Sequence, residues 1–393
     1  MKIMLQNHTF YPAIGGIENY LYYVSTILWK MGHQPIVICE KNDPRLSDCE
    51  TYNGIKIIRH PQFEIPKRIL FKKPKIVSAQ LKQFLSEHIE DVDFIISRYP
   101  HYCFATCSLN LNTPVFFIPP SVHWRQLKKA SSKSPFKARF FNLLWKKSLD
   151  NMERESVLRS EKTVVFSKNV AQSLEHYYGL EGYPFYILPP GVDLHKFNKD
   201  KDYQLLRELH INPKSRVLLY VGRLSPEKNV EMLIKEFQLL RRNDVHLLIV
   251  GYGSDEKRLE KLKATDQGGE RILFLGPSTD VEKFYSIADI FICPSKHEPF
   301  GQVILEAMAA GLPCIAYKRV WPEYEVASEE IIENGVTGYC VNPYDRNEFR
   351  SKLLNLIERP DIGKRMGIAG RKACEIRFTW ESHVRRLLDL VNN

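Results

Sequence analysis

The segment from Pro294 to Gly311 holds two carboxylates, Glu298 and Glu306, with seven residues between them. An apolar run ends just before it, and a helical pattern opens near Gly301. Glu298 is therefore expected in a loop after a strand and Glu306 on the helix that follows. The backbone amides of Phe300, Gly301, Gln302 and Val303 would stand at the helix N-terminus, where unpaired N–H groups and the macrodipole attract an anion. If Val303, Met308 and Ala310 help define the buried side, Glu306 faces the strand. A carboxylate held there must meet hydroxyls or a cation, or be paired. Two acids at this spacing also arise by chance, so the weight falls on the strand–loop–helix setting.

A second cluster, Gly222-Arg223-Leu224-Ser225-Pro226-Glu227-Lys228-Asn229, follows the apolar run Val217–Val221. Arg223 could fork onto two phosphate oxygens and Lys228 add a point charge, a pair suited to a diphosphate. Solvated loop charge is the plain alternative. Gly251-Tyr252-Gly253 ends the next strand in the same way, a weak signal alone. Near the start, Gly15 and Gly16 separate a strand from a helix, which lets the backbone approach a ligand closely or simply makes a turn. No Gly-x-Gly-x-x-Gly string follows that strand, and no Walker A string occurs, which argues against a P-loop nucleotidase.

These loops need a scaffold. The chain has 393 residues, 44% hydrophobic and 26% charged, a globular composition with room for two domains. Strand-length apolar runs (Lys2–Gln6, Pro35–Cys39, Gly54–Arg59, Asp93–Ser97, Pro114–Ile118, Thr163–Ser167, Phe185–Leu188) alternate with helical stretches such as Ile17–Lys30, Lys75–Ile89 and Arg139–Arg159. The pattern resumes at Arg216–Val221, Val245–Val250, Ile272–Leu275, Ile290–Cys293 and Cys314–Ala316. Strands apolar on both faces, alternating with helices, indicate α/β domains with doubly covered parallel sheets. Pro189-Pro190-Gly191 marks the boundary. Domains are expected at 1–190 and 191–375, with a C-terminal helix at 376–393 returning to the first and Val384, Leu387, Leu388 and Val391 on one stripe. Ligands in such sheets bind at the carboxyl ends of the strands, so the site is expected in a cleft between the domains. The eight cysteines form no Cys-x-x-Cys pair. Cys39, Cys293, Cys314 and Cys340 read as reduced core thiols, not as disulfides or a zinc site.

The strings Gly222-Arg223 with Lys228-Asn229, Gly251-Tyr252-Gly253, and Glu298-Pro-Phe-Gly-Gln-Val-Ile-Leu-Glu306-Ala resemble glycosyltransferase family 4. The likeness runs from Gly15-Gly16 through Gly191-Val192-Asp193 to the terminal helix and is tighter in the second half. It implies the GT-B fold, two Rossmann-like domains facing a central cleft, with the acceptor on the first and the donor on the second. It implies a retaining enzyme using a UDP- or GDP-linked sugar and no metal. By the same resemblance, Gly16 lies against the donor phosphate and sugar, and His123 is the active-site histidine near the sugar. Arg223 and Lys228 bind the diphosphate, Glu298 the sugar hydroxyls and Glu306 the ribose. Base recognition would be largely by backbone near Gly276–Ser278. One departure stands out: in place of a glycine pair and a short Pro-Glu segment, this chain has Lys318-Arg319-Val320-Trp321-Pro322-Glu323-Tyr324-Glu325.

The net charge is +10, and residues 51–150 carry 17 Lys and Arg against 6 Asp and Glu. Such a surplus favours anionic partners. Lys67–Lys75 and Lys133–Lys147 mix cations with apolar residues and suit an anionic membrane surface, or else a core helix with a basic face. Nucleic acid is a poorer fit, for want of a binding motif. No apolar run reaches the ~20 residues a membrane span needs, and the first residues do not read as a signal peptide. The expectation is a cytoplasmic enzyme, peripheral on the inner membrane face, acting on a lipid-linked or cell-surface glycan in polysaccharide biosynthesis. A sugar-nucleotide epimerase, or a transferase with a small soluble acceptor, is the alternative.

Overall fold

In the computed structural model, all residues are described except 14, 64–72, 90, 123–135, 198–199, 265–267 and 393; at 73–75 and 136–145 only the backbone is described. The chain divides into two compact units, Met1–Pro189 with His383–Asn393, and Pro190–Ser382. Residues 376–382 thus group with the second unit, and the return to the first begins at His383.

The first unit is built on strands β1 (Lys2–Gln6), β2 (Gln34–Glu40), β3 (Cys49–Tyr52), β4 (Ile55–His60), β5 (Phe94–Ser97), β6 (Val115–Phe117), β7 (Lys162–Val165) and β8 (Tyr186–Ile187). Their order across the sheet is β3-β4-β2-β1-β5-β6-β7-β8. All neighbours pair in parallel except β3 with β4. Parallel pairing requires a crossover between strands, which the helices supply and which covers both faces of the sheet. That is why Ile3, Met4 and Leu5 are all buried despite alternating sides. The Lys168–Tyr178 helix shows the local logic: Ser167 Oγ accepts the Val170 amide at its start, and Gly179 closes it at φ 61°. At the C-terminus, the Trp380–Asn392 helix buries His383, Val384 and Leu387 on one stripe.

The second unit carries β9 (Arg216–Val221), β10 (Val245–Val250), β11 (Ile272–Phe274), β12 (Ile290–Cys293), β13 (His297–Glu298), β14 (Cys314–Tyr317), β15 (Glu325–Val326) and β16 (Gly338–Val341). Six of these form an all-parallel sheet in the order β11-β10-β9-β12-β14-β16, and β13 pairs with β15 apart from it. Leu218, Leu247, Ile249, Ile292, Ile315 and Val341 form one core with Leu233, Phe237, Phe349 and Leu353 from the covering helices. Cys39, Cys293, Cys314 and Cys340 are buried and unbridged.

Both sheets have a point where the chain stops building to one side and starts building to the other. In the first it lies between β1 and β5; in the second, between β9 and β12. Loops leaving those strands diverge and open a crevice at the carboxyl ends, where doubly wound sheets take their ligands.

Candidate functional site

In the second unit, Gly222–Asn229 leaves β9 and Pro294–Gly301 leaves β12, so the two predicted charge clusters meet at the switch point. Lys228 Nζ lies 2.6 Å from Glu298 Oε2 and also donates to the His297 carbonyl at 3.4 Å. Ser295 Oγ donates to the same carboxylate oxygen at 3.4 Å. The Lys228 and Glu298 side chains are each 13% exposed, which leaves them strongly attracted but reachable. Arg223 is exposed beside them and, among the described residues, forms no ion pair.

The glycines in these loops answer to backbone packing. Gly251 sits at φ +136°, and a Cβ there would lie 1.9 Å from the Gly222 carbonyl oxygen. Gly222, at φ +155°, lies under the Tyr220 hydroxyl, which donates to the Arg223 carbonyl at 2.8 Å. The amide of Gly251 in turn donates to the Gly276 carbonyl at 2.8 Å. The ends of β9, β10 and β11 are thereby brought backbone to backbone, and Arg223 is presented from a fixed turn.

Gly301, at φ +110°, caps the Gln302–Ala309 helix. Its carbonyl accepts from Ile304 N at 2.9 Å, so the amides of Gln302 and Val303 precede the first internal bond and have no helical partner. The Gln302 side chain faces elsewhere and donates to the Gly191 carbonyl at 2.9 Å. Phe300 is buried, its ring 6.5 Å from that of Phe378, so it anchors the loop.

Glu306 keeps partial access to solvent on the same helix. Tyr285 Oη donates to its Oε2 at 2.9 Å. Burial pushes the Glu306 carboxyl up to about 7, with Tyr285 and Lys196 pulling it back and Glu282 adding to the rise. Sequence reasoning missed Lys196. Asp193 Oδ1 accepts the amides of His195 and Lys196, folding Gly191-Val192-Asp193 into a turn that brings Lys196 Nζ within 3.5 Å of Glu282. An Asp two and three residues before the amides it accepts is a readable turn signal.

The Lys318–Glu325 departure also takes a definite place. Val320 and Tyr324 exchange amide–carbonyl bonds at 3.1 and 2.8 Å, closing a tight turn. Beyond it, Glu325 N donates to the Lys296 carbonyl at 2.9 Å and Ala327 N to the Glu298 carbonyl at 3.1 Å. The divergent segment thus returns as β15 and pins the backbone that carries Glu298. Glu325 is itself buried, its carboxylate 3.7 Å from His297 Nδ1. No sequence signal separated Glu325 from its neighbour Glu323, which bonds the Tyr344 hydroxyl at 2.6 Å instead.

Within the first unit, the loop after β1 ends at Gly15 and Gly16. A Cβ on Gly15 would lie 2.5 Å from Glu18 Oε2, whereas Gly16 has open space around its Cα. Thr9 Oγ1 donates to Glu18, closing the loop on itself. Arg98, absent from the sequence reading, follows β5 on the other side of the switch point. It is 2% exposed and stacks 4.1 Å over the Tyr20 ring and 4.7 Å from Phe166. His123 lies outside the described residues, as do the Lys67–Lys72 and Lys133–Pro135 segments of the basic stretches. Among the described residues, no three or more His, Cys, Asp or Glu are grouped to hold a metal ion, and no helix is long and apolar enough to cross a membrane.

Comparison with known proteins identifies the family and the fold. The model described as glycosyl transferases group 1 matches residues 203–373, and that of Glycosyltransferase Family 4 matches 14–196. Mannosylfructose-phosphate synthase of Agrobacterium fabrum is 23% identical over 96% of this chain and 86% of its own. The D-inositol 3-phosphate glycosyltransferase of Segniliparus rotundus is 29% identical over 60% of this chain, which spans about half (53%) of that relative's length. Among solved structures, sucrose-phosphate synthase from Thermosynechococcus elongatus superposes with a TM-score of 0.80 at 22% identity, covering 100% of this chain and 98% of its own. Anabaena HepE, solved with UDP, gives 0.74 at 16% identity, with both chains covered completely. Both family models describe glycosyl transfer, which sets the epimerase reading aside. With a GT-B fold and matches to both halves, the chain belongs to the group 1 glycosyltransferases of glycosyltransferase family 4.

Proposed function

We propose that this glycosyltransferase moves a sugar from a nucleoside diphosphate donor to a glycan acceptor with retention of configuration. The observation that carries the reading is the convergence of Arg223, Lys228, Glu298 and the Gln302–Ala309 helix N-terminus at one switch point. As the donor C1–O bond breaks, negative charge grows on the departing diphosphate. Arg223, Lys228 and the amides of Gln302 and Val303 are placed to stabilise it without reorganising, which lowers the barrier electrostatically. With those cations supplying the charge, the reaction runs without a metal. Glu298 takes the sugar hydroxyls and, by its carboxylate, holds Lys228 in place. Glu306 takes the ribose diol, assisted by Tyr285.

The family resemblance supports same-face attack. The acceptor hydroxyl oxygen bonds to C1 as the phosphate leaves, and its proton passes to the departing phosphate oxygen. On this reading His123 and Gly16 contribute from the first unit, which binds the acceptor. The acceptor is lipid-linked or part of a surface glycan, and the enzyme works at the cytoplasmic membrane face. The basic surplus of residues 51–150 supports this placement.

The test is a panel of radiolabelled UDP- and GDP-sugars offered with and without membranes, in excess chelator. Transfer into the membrane fraction with the chelator present is expected. Transfer only to soluble acceptors would overturn the membrane placement, and loss restored by magnesium or manganese would overturn metal independence.

A further inference from the structure

The amino ends of β6 and β7, opposite the ends that carry the loops above, border a cavity of about 400 Å³. Cys107, Asn112, Arg159, Lys162 and Leu390 line it. Cys107 is the last residue of the Pro100–Cys107 helix and half-buried. One turn earlier, on the same helix face, Cys103 is fully buried, and the two sulfurs are 4.0 Å apart. The Cys103 thiol also lies 3.8 Å from the Ser156 carbonyl. Arg159 reaches the same helix, its guanidinium 5.4 Å from the Phe104 ring. The fold therefore gathers two thiols and a cation at an opening to solvent, none of them among the residues assigned to transfer.

We propose that Cys107 is a peroxide-reactive thiol and that Cys103 resolves its oxidised form, making the pair a dithiol–disulfide site on the wall of this cavity. The two cysteines are unequal. The hydrogen bond from Cys103 lowers the Cys107 thiol below its ordinary range, and Arg159 adds to that against burial. Burial drives Cys103 the other way. The helix C-terminus acts against a thiolate at Cys107, and the charge of Arg159 offsets it. The reactive member is thus the one that reaches the cavity.

In the first step the Cys107 thiol gives its proton to water and the resulting thiolate sulfur attacks one peroxide oxygen. The O–O bond breaks, hydroxide leaves, and the sulfur becomes a sulfenic acid. In the second, the Cys103 sulfur attacks Cys107 Sγ; an S–S bond forms, the S–O bond breaks, and the Cys103 proton leaves with the hydroxide as water. Two electrons pass from the thiols to the peroxide. The sulfurs must close from 4.0 Å to roughly 2.05 Å. Cys107 can make that move because it ends its helix: the cost falls on the bonds that Ser108 N and Ser108 Oγ donate to the Phe104 carbonyl, at 3.1 and 2.6 Å. Cys49 supplies an internal reference, being exposed on edge strand β3.

The reduced full-length protein is treated with one equivalent of hydrogen peroxide in the presence of dimedone, digested, and read by mass spectrometry. Wild type should lose two hydrogens within the peptide holding both cysteines, and faster than Cys49 is labelled. Cys103→Ala should accumulate dimedone at Cys107, and Cys107→Ser should leave Cys103 unlabelled. Melting curves confirm that each variant folds; should Cys103→Ala fail, Cys103→Ser replaces it. Labelling of Cys107 no faster than Cys49, or dimedone on Cys103 in Cys107→Ser, overturns the proposal.

Discussion

Glu306→Gln should flatten the pH dependence of nucleotide binding. A carboxyl raised to about 7 is about nine-tenths protonated at pH 6 and about nine-tenths ionised at pH 8. A ribose diol donates to the carboxylate far better than to the neutral acid. If that contact binds the nucleotide, wild-type affinity should rise up to about tenfold across this interval, or about 1.4 kcal/mol. The partial solvent access of Glu306 makes tenfold the ceiling. Calorimetry with UDP and GDP at pH 6, 7 and 8 measures it. The diphosphate also titrates in this range, so the informative quantity is the ratio of wild type to Glu306→Gln at each pH, in which that contribution cancels. A ratio constant with pH would remove Glu306 from the ribose site. The same shift has a consequence for folding. A carboxyl raised on folding favours the native state while protonated; that contribution is complete below about 4.5 and is lost as pH rises through about 7. Glu306→Gln should therefore be the more stable protein at pH 8, by about 1–3 kcal/mol, as read by urea denaturation.

Gly251→Ala should destabilise by about 2–4 kcal/mol, through a positive φ and the Gly222 carbonyl in the path of the new Cβ; wild-type stability in urea would refute the packing argument. Lys228→Met should cost about 1–3 kcal/mol by leaving the Glu298 carboxylate without its cation, and Lys228→Met with Glu298→Gln should recover most of it. Additive losses in that double-mutant cycle would show the pair to be uncoupled. Glu325→Ala should lower kcat more than nucleotide affinity, since it touches the strand carrying Glu298; equal loss of both would mean general unfolding.

Much of the scaffold was readable because a strand buried on both faces must be apolar throughout, as in Val217–Val221 and Val245–Val250. Elements defined by pairing were not. The edge strand Cys49–Tyr52 alternates in exposure and exists through its antiparallel bonds to β4, and the short Pro100–Cys107 helix has no strong stripe. The helices Arg346–Glu358 and Pro360–Arg377 are likewise poorly marked in the sequence, though Asp345, whose side chain caps the first, is a start signal.

For the site, residue type and order were enough to single out Arg223, Lys228, Glu298 and Glu306, because a strand–loop–helix pattern dictates which residues reach a carboxyl end. Distances between loops were not legible, since they depend on strand order, and nothing local in the chain says that β12 lies beside β9. That adjacency joins Lys228 to Glu298, seventy residues on, and turns two predicted ligand contacts into one ion pair. It likewise takes tertiary packing to bring Lys196 and Tyr285 to Glu306, and to return the divergent Lys318–Glu325 segment as a strand beside Glu298. A carboxylate's ordinary acidity is written in its residue type; its departure from it depends on which groups the fold has moved close and how much water it has removed.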